Sequence, residues 1–254
     1  MKTAARACGW LAVIALSLAA AGTLRAEGSP PMITDDPGTP GDGHWEINLG
    51  ISTEKRPGSR TSELPLIDLN YGVGDRVQLK FEVPYLHQRE TGAGSESAPG
   101  NSALGVKWRF VDHGEKGPAV SVYPQVEFNT PGSSADERGL VDHGSAFKLP
   151  FQYEQEVGPV DLVAQAGREF RSGGDTWFYG LSVGHQFGEK VQLAVELAGE
   201  ATAGLHRSVL VANAGLAVDL SERTSVLFSL GRELHNHDEP KASLVAFLGL
   251  QWRL

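Results

Sequence analysis

Val77-Gln78-Leu79-Lys80-Phe81-Glu82-Val83-Pro84-Tyr85 changes polarity at every residue. Period-two alternation marks a β-strand with one apolar and one polar face. The pattern extends outward in both directions, from His44 to Leu254. Toward the N-terminus, Ile67, Leu69 and Tyr71 alternate with Asp68, Asn70 and Gly72. Before them, Trp45, Ile47, Leu49 and Ile51 alternate with Glu46, Asn48, Gly50 and Ser52. Toward the C-terminus, Leu104, Val106, Trp108 and Phe110 oppose Gly105, Lys107 and Arg109. Val126 and Phe128 oppose Gln125 and Glu127, and Phe147, Phe151 and Tyr153 oppose Lys148, Gln152 and Glu154. Further segments begin at Val160, Trp177, Val191, Leu210, Val226 and Leu244. A slip of one residue would move every charge to the apolar face, so the phase is strongly determined.

The connectors alternate in length. Gly72–Arg76, Gly158-Pro159, Gly188–Lys190 and Asp219–Arg223 are tight, whereas Gln88–Asn101, Thr130–Ser145, Ala201–Arg207 and Glu233–Pro240 are longer and rich in Gly, Ser, Pro and charge. Short turns on one rim and long loops on the other predict an all-β fold. The expected form is a transmembrane, antiparallel, up-and-down β-barrel of about 12 strands with its short turns in the periplasm. Pro65, Pro84, Pro124 and Pro150 lie inside strands and predict bulges, because proline removes a ladder donor. Trp45, Tyr71, Tyr85, Trp108, Trp177, Tyr179 and Trp252 end apolar bands, as girdle residues at a lipid boundary do. Ordinary strand enrichment in aromatics is the plainer alternative.

The N-terminus reads as an export signal over residues 1–26: Lys2 and Arg6, an apolar run from Trp10 to Ala21, then Leu24-Arg25-Ala26. Residues 27–43 form a periplasmic or plug segment, and 44–254 form the barrel. The only cysteine, Cys8, precedes the apolar run, so the mature chain has no thiol chemistry. Removing Lys2, Arg6 and Arg25 from the 22 basic residues leaves 19 against 31 acids, a net charge of −12. That argues against a nucleic-acid partner. Mean hydropathy is −0.20, as a polar lumen inside an apolar exterior would give.

Pro31-Met32-Ile33-Thr34-Asp35-Asp36-Pro37-Gly38-Thr39-Pro40 leads into Gly43-His44-Trp45-Glu46-Ile47-Asn48. Later come Glu63–Gly72 and Leu104-Gly105-Val106-Lys107-Trp108-Arg109-Phe110. Together these resemble the outer-membrane proteins named after the meta-pathway of phenol degradation. The resemblance covers nearly the whole mature chain, and Thr34-Asp35-Asp36-Pro37 is its most specific part. It implies an outer-membrane, transporter-like barrel and a link to aromatic catabolism or uptake. The last strand, with Gly249, Trp252 and Leu254, resembles the C-terminal signal read by outer-membrane assembly machinery, with Leu254 where Phe is usual. Expected partners are outer-membrane lipids, that machinery and a small-molecule solute.

Three readings fit Thr34, Asp35, Asp36, Pro37 and Asp42. They could bind a divalent cation through oxygen, cap the approach to the first strand with an Asx turn, or fold into the lumen as a plug. The capping turn is preferred, because no spaced ligand set follows. No catalytic residue, metal site or cofactor is assigned. Asp142-His143-Gly144-Ser145 and His206-Arg207-Ser208 place His near Ser on loops, but a Ser–His hydrolase needs rigid positioning and a third orienting group. His235 and His237 read as a solvated loop rather than metal ligands.

Glu46, Asp68, Lys80, Glu82, Lys107, Arg109, Glu127, Lys148 and Glu154 are the expected pore-lining residues. Asp161, Glu196 and Arg253 share their phase. Charged rings set pore selectivity, whereas a self-neutralising network would fill the barrel and conduct nothing. The sequence leaves both open. The functional expectation is a passive channel for small, aromatic or hydrophobic solutes. A non-conducting structural barrel and an outer-membrane hydrolase are the alternatives.

Overall fold

Leu79 is 43% exposed and Lys80 beside it 8%; Val106 and Trp108 are 46% and 54% exposed, and Lys107 between them 1%. The computed structural model describes residues 31–114 and 117–254. In it the apolar phase faces out and the polar phase faces in. The signal segment expected over 1–26 lies outside the described residues.

Fourteen strands are formed: β1 (Trp45–Arg56), β2 (Ser59–Val73), β3 (Val77–Glu90), β4 (Gly94–Pro99), β5 (Asn101–Asp112), β6 (Ala119–Val122), β7 (Gln125–Asn129), β8 (Ala146–Val157), β9 (Val160–Arg171), β10 (Thr176–Phe187), β11 (Val191–Thr202), β12 (Ser208–Ser221), β13 (Thr224–Asn236) and β14 (Leu244–Arg253). They make twelve staves. β4 and β5 follow each other along β3, and β6 and β7 share one position between β5 and β8. β1 pairs antiparallel with β14 from Glu46↔Arg253 to Lys55↔Leu244, which closes the sheet. Trp45 N–H and Leu254 N–H each donate to the other's carbonyl at 2.9 Å.

Proline placement follows its missing donor. Pro65 lies in the register shift between Glu63 and Leu66, and Pro124 falls where β6 and β7 separate. Pro84 lies in an unbroken β3 whose pairing shifts register beside it on both sides, and Pro150 in a β8 that runs straight through it. Their carbonyls accept from Gly100 N–H at 2.8 Å and Tyr123 N–H at 3.0 Å.

One expected loop is overturned. Gln88–Asn101 is mostly strand: β3 runs to Glu90, a tight turn follows, and β4 returns from Gly94. β1 and β2 are likewise joined tightly through Pro57-Gly58 at the same rim. The longer loops, 130–145, 203–207 and 237–243, gather at that loop end, opposite the turn end at 74–76, 158–159, 188–190 and 222–223. Trp45 and Tyr71 meet near the turn end with ring centroids 4.8 Å apart, and Phe147 and Phe170 stack at 6.1 Å near the loop end.

The two faces predict unequal tolerance. Leu79→Arg puts a guanidinium into lipid and should cost about 2–4 kcal/mol near mid-bilayer. Gln186→Arg, on the inner face, should cost well under 1 kcal/mol, on the order of an ordinary exposed substitution. Urea unfolding from lipid vesicles measures both; equal costs would mean that the two faces do not differ, and an inverted order that they are reversed.

Candidate functional site: the lumen and the segment inside it

The inner residues of adjacent strands pair with one another. Lys80 Nζ lies 2.8 Å from Glu82 and 3.6 Å from Asp68. Asp68 accepts from Asn48 and Asn70, each at 3.0 Å, and Asn48 also donates to Glu46 at 3.2 Å. Glu127 meets Arg171 at 3.1 Å, Lys148 at 3.6 Å and the Asn101 amide at 2.7 Å, and Lys148 reaches Glu169 at 3.3 Å. Arg109 turns toward the rim, pairing with Asp112 at 3.2 Å and donating to the Asp75 carbonyl at 2.7 Å. Arg253 pairs with Asp219 at 2.9 Å at the turn end. Glu154 is half-buried on the inner phase of β8. Signs alternate between neighbours, so these charges form local pairs rather than two opposed walls.

The segment before β1 lies within this network. Ile33 N–H and Thr34 N–H donate to the two carboxylate oxygens of Glu196, each at 2.8 Å. Asp35 N–H donates to Gln165 Oε1 at 2.6 Å. The Asp35 carboxylate accepts from Gln152 at 2.7 Å and Lys107 at 3.1 Å, and Lys107 also donates to the Asp36 carbonyl at 2.6 Å. Lys107 further stands over the Tyr123 ring, 4.9 Å from its centroid. Asp36 Oδ1 accepts from Gly38 N–H at 2.6 Å, an Asx turn, and burial pushes its carboxyl above the usual range. Asp42 accepts from Gly74 N–H at 2.8 Å. The wall is cut away for this backbone: a Cβ on Gly180 would collide with Thr34, and one on Gly215 with the Met32 sulfur.

The preferred capping-turn reading is therefore corrected. Asp36 does make a local turn, but Asp42 reaches across to Gly74 in the turn between β2 and β3, and Thr34 and Asp35 are buried in the lumen. Among the described residues no group of three His, Cys, Asp or Glu side chains could hold a metal ion. The His–Ser neighbours do not form a catalytic pair in the observed contacts. His143 Nδ1 bonds Asp136 at 2.8 Å on an exposed loop.

Two cavities flank the segment. At the turn end, a space of about 290 Å³ is lined by Asp36, Glu46, Gln78, Gln192, Asp219 and Arg253. Toward the loop end, a space of about 40 Å³ lies among Thr34, Lys148, Gln165, Glu169, Phe178 and Glu200. The smaller one has room only for water. Above it, Glu233 is fully buried and takes both Arg56 nitrogens, at 2.8 and 2.5 Å, plus Ala242 N–H at 2.7 Å.

Gln152, Gln165, Phe178, Glu200 and Glu233 escaped the sequence reading as site residues. Inner phase alone marks the first four. Glu233 falls in an expected loop, but β13 carries it inward. The phase of Glu196 marks it as inner but gives no sign that it holds a backbone.

Glu196→Ala should undock the segment locally. Amide exchange at Ile33 and Thr34 should speed up roughly tenfold or more, the loss expected of charge-assisted hydrogen bonds. The central amides of β10 and β11 should stay protected. Unchanged exchange at Ile33 and Thr34 would show that Glu196 does not hold them.

Comparison with known proteins gives the fold independent support. The chain superposes on an outer membrane channel from Pseudomonas putida F1 with a TM-score of 0.66 at 15% identity, covering 86% of this chain and 98% of that one. It superposes on the NanC porin at 0.60 and 6% identity, covering 82% and 100%. It also superposes on the KdgM porin, in complex with oligogalacturonate, at 0.56 and 7% identity, covering 81% and 98%. These identities carry the fold, that of Gram-negative outer-membrane barrels. No curated protein matches the chain. The sequence profile of the family described as "Putative MetA-pathway of phenol degradation" matches residues 28–247, and the chain belongs to that family.

Proposed function

We propose that this protein is a passive outer-membrane channel for small solutes, narrowed by its own N-terminal segment. The observation that carries this reading is the position of Ile33–Asp36 between two cavities inside a closed barrel, a polar one at the turn end and a mixed one toward the loop end. A structural barrel needs no such division of its interior. With the segment docked, the loop-end cavity is too small for an aromatic ring, so passage requires the segment to shift. Its attachments suit that: hydrogen bonds and one buried ion pair, in place of a broad apolar contact. Phe178 would then offer an inward aromatic face beside Lys148 and Glu169, which suits a small aromatic solute with a polar substituent. The family description, which names phenol degradation, points to the same solute class.

A second reading is a filled, non-conducting barrel. It is favoured by Tyr123, Lys107, Gln152 and Glu233, all fully buried inside the wall. Planar-bilayer recording separates the two. The refolded mature chain should show small conductance steps, and a variant lacking residues 27–42 should show steps at least several-fold larger, as expected when a lumenal constriction is removed. Both should keep heat-modifiable gel migration. Silence from both would establish the filled barrel.

A further inference from the structure

Three cations stand side by side on the outer face at the loop end. Lys55 on β1 lies directly opposite Arg60 on β2, and Arg60 lies directly opposite Arg89 on β3. All three are exposed. Each continues the outward phase of its strand: Ile51, Thr53 and Lys55; Ser62 and Arg60; Phe81, Tyr85, His87 and Arg89. Among the described residues none of the three has an ion-pair partner; the neighbouring bases with partners, Arg56 and Arg138, use Glu233, Glu54, Glu239 and Glu96. The local acids face the other way, with Glu54 and Glu63 on the inner phase.

Like charges directly opposite each other on paired strands destabilise a sheet. Here two such pairs share Arg60, and the described residues supply no ion-pair partner to them on that face. Their height indicates what does. Lys55 follows the turn-end girdle residue Trp45 by ten positions. At about 3.3 Å per residue and a tilt near 40°, that is roughly 25 Å, the height of the apolar band of an outer-membrane barrel. The cations therefore sit where the hydrocarbon ends and headgroups begin. Exposed Tyr85, Leu64 and Ile51 lie just below them, toward the acyl chains.

We propose that Lys55, Arg60 and Arg89 form a docking site for the phosphate-bearing headgroup of an outer-leaflet glycolipid. Guanidinium groups match phosphate oxygens bidentately, and the lysine adds a mobile point charge. Acyl chains would lie on the apolar band beneath. The site is on the outer wall and rests on the loop end facing the cell exterior. It does not depend on whether the lumen conducts, so the conductance test can fail while this proposal stands, and the reverse.

The test uses the full mature chain, refolded in maltoside micelles and titrated with bis-phosphorylated lipid A by native mass spectrometry. The parent should retain lipid A in preference to phosphatidylcholine. Lys55→Gln, Arg60→Gln and Arg89→Gln combined should bind lipid A on the order of 100-fold more weakly, as loss of three surface cations implies. The charge-keeping combination Lys55→Arg, Arg60→Lys and Arg89→Lys should bind more weakly than the parent, because two bidentate guanidiniums are lost, yet far more tightly than the Gln variant. Heat-modifiable migration checks that each variant folds. Equal binding by the parent and the Gln variant would overturn the proposal, as would a parent that shows no preference over phosphatidylcholine. Displacement of lipid A by equimolar inorganic phosphate would also overturn it, by showing a free-anion site.

Discussion

In hydrocarbon, no water is available to an unpaired backbone N–H or C=O, so a sheet that crosses a membrane must close on itself. In this chain the requirement is met where β1 meets β14, between Trp45 and Leu254 at one end and Lys55 and Leu244 at the other. The remaining features follow from that seam. A closed wall has one face toward lipid and one toward the lumen, which is why Val106, Lys107 and Trp108 can differ so sharply in exposure. The last residue of the chain is part of the closure, which gives the terminal Trp252-Arg253-Leu254 a structural role whatever else reads it.

Closure creates a second problem inside. Charged side chains that point into a narrow lumen lose water, and a buried charge without a partner is costly. Neighbouring strands answer part of this, as Lys80 does with Asp68 and Glu82. Lys107 needs more than its neighbours provide. It finds the Asp35 carboxylate and the Asp36 carbonyl, both from the N-terminal segment. Glu196 is the complementary case, an inner carboxylate satisfied by two backbone amides and Asn213. The segment and the wall thus complete each other's hydrogen bonding. The cost of breaking the Lys107–Asp35 pair, of order 3–5 kcal/mol for a buried pair that loses one partner, is the energy scale for moving the segment.

The wall was legible in the sequence because period two leaves no freedom: a slip that exposed Lys107 to lipid would also bury Val106 among charges. β4 was not legible. Gly94-Ser95-Glu96-Ser97-Ala98-Pro99 has no apolar alternation, because this strand extends the wall at the loop end, where an apolar outer face is not needed. The charged inner residues could be named from phase, but their partners could not. Asp35 lies 72 positions from Lys107 and 117 from Gln152, and Thr34 lies 162 from Glu196, with no local pattern to link them. The closest signal was negative: Gly180 and Gly215 interrupt the inner phase of β10 and β12, and the segment fills the space they leave.

The docked segment is the claim on which the reading of the lumen rests, and the absence of cysteine after Cys8 allows a direct measurement. Thr34 is 5% exposed, and an ideal Cβ at Gly180 would collide with its Oγ1. In the folded protein Thr34→Cys should resist a membrane-impermeant maleimide, and the same variant carrying Gly180→Leu, which fills the space the segment occupies, should be labelled. Rapid labelling of the folded Thr34→Cys variant would contradict the account and place the segment outside the lumen.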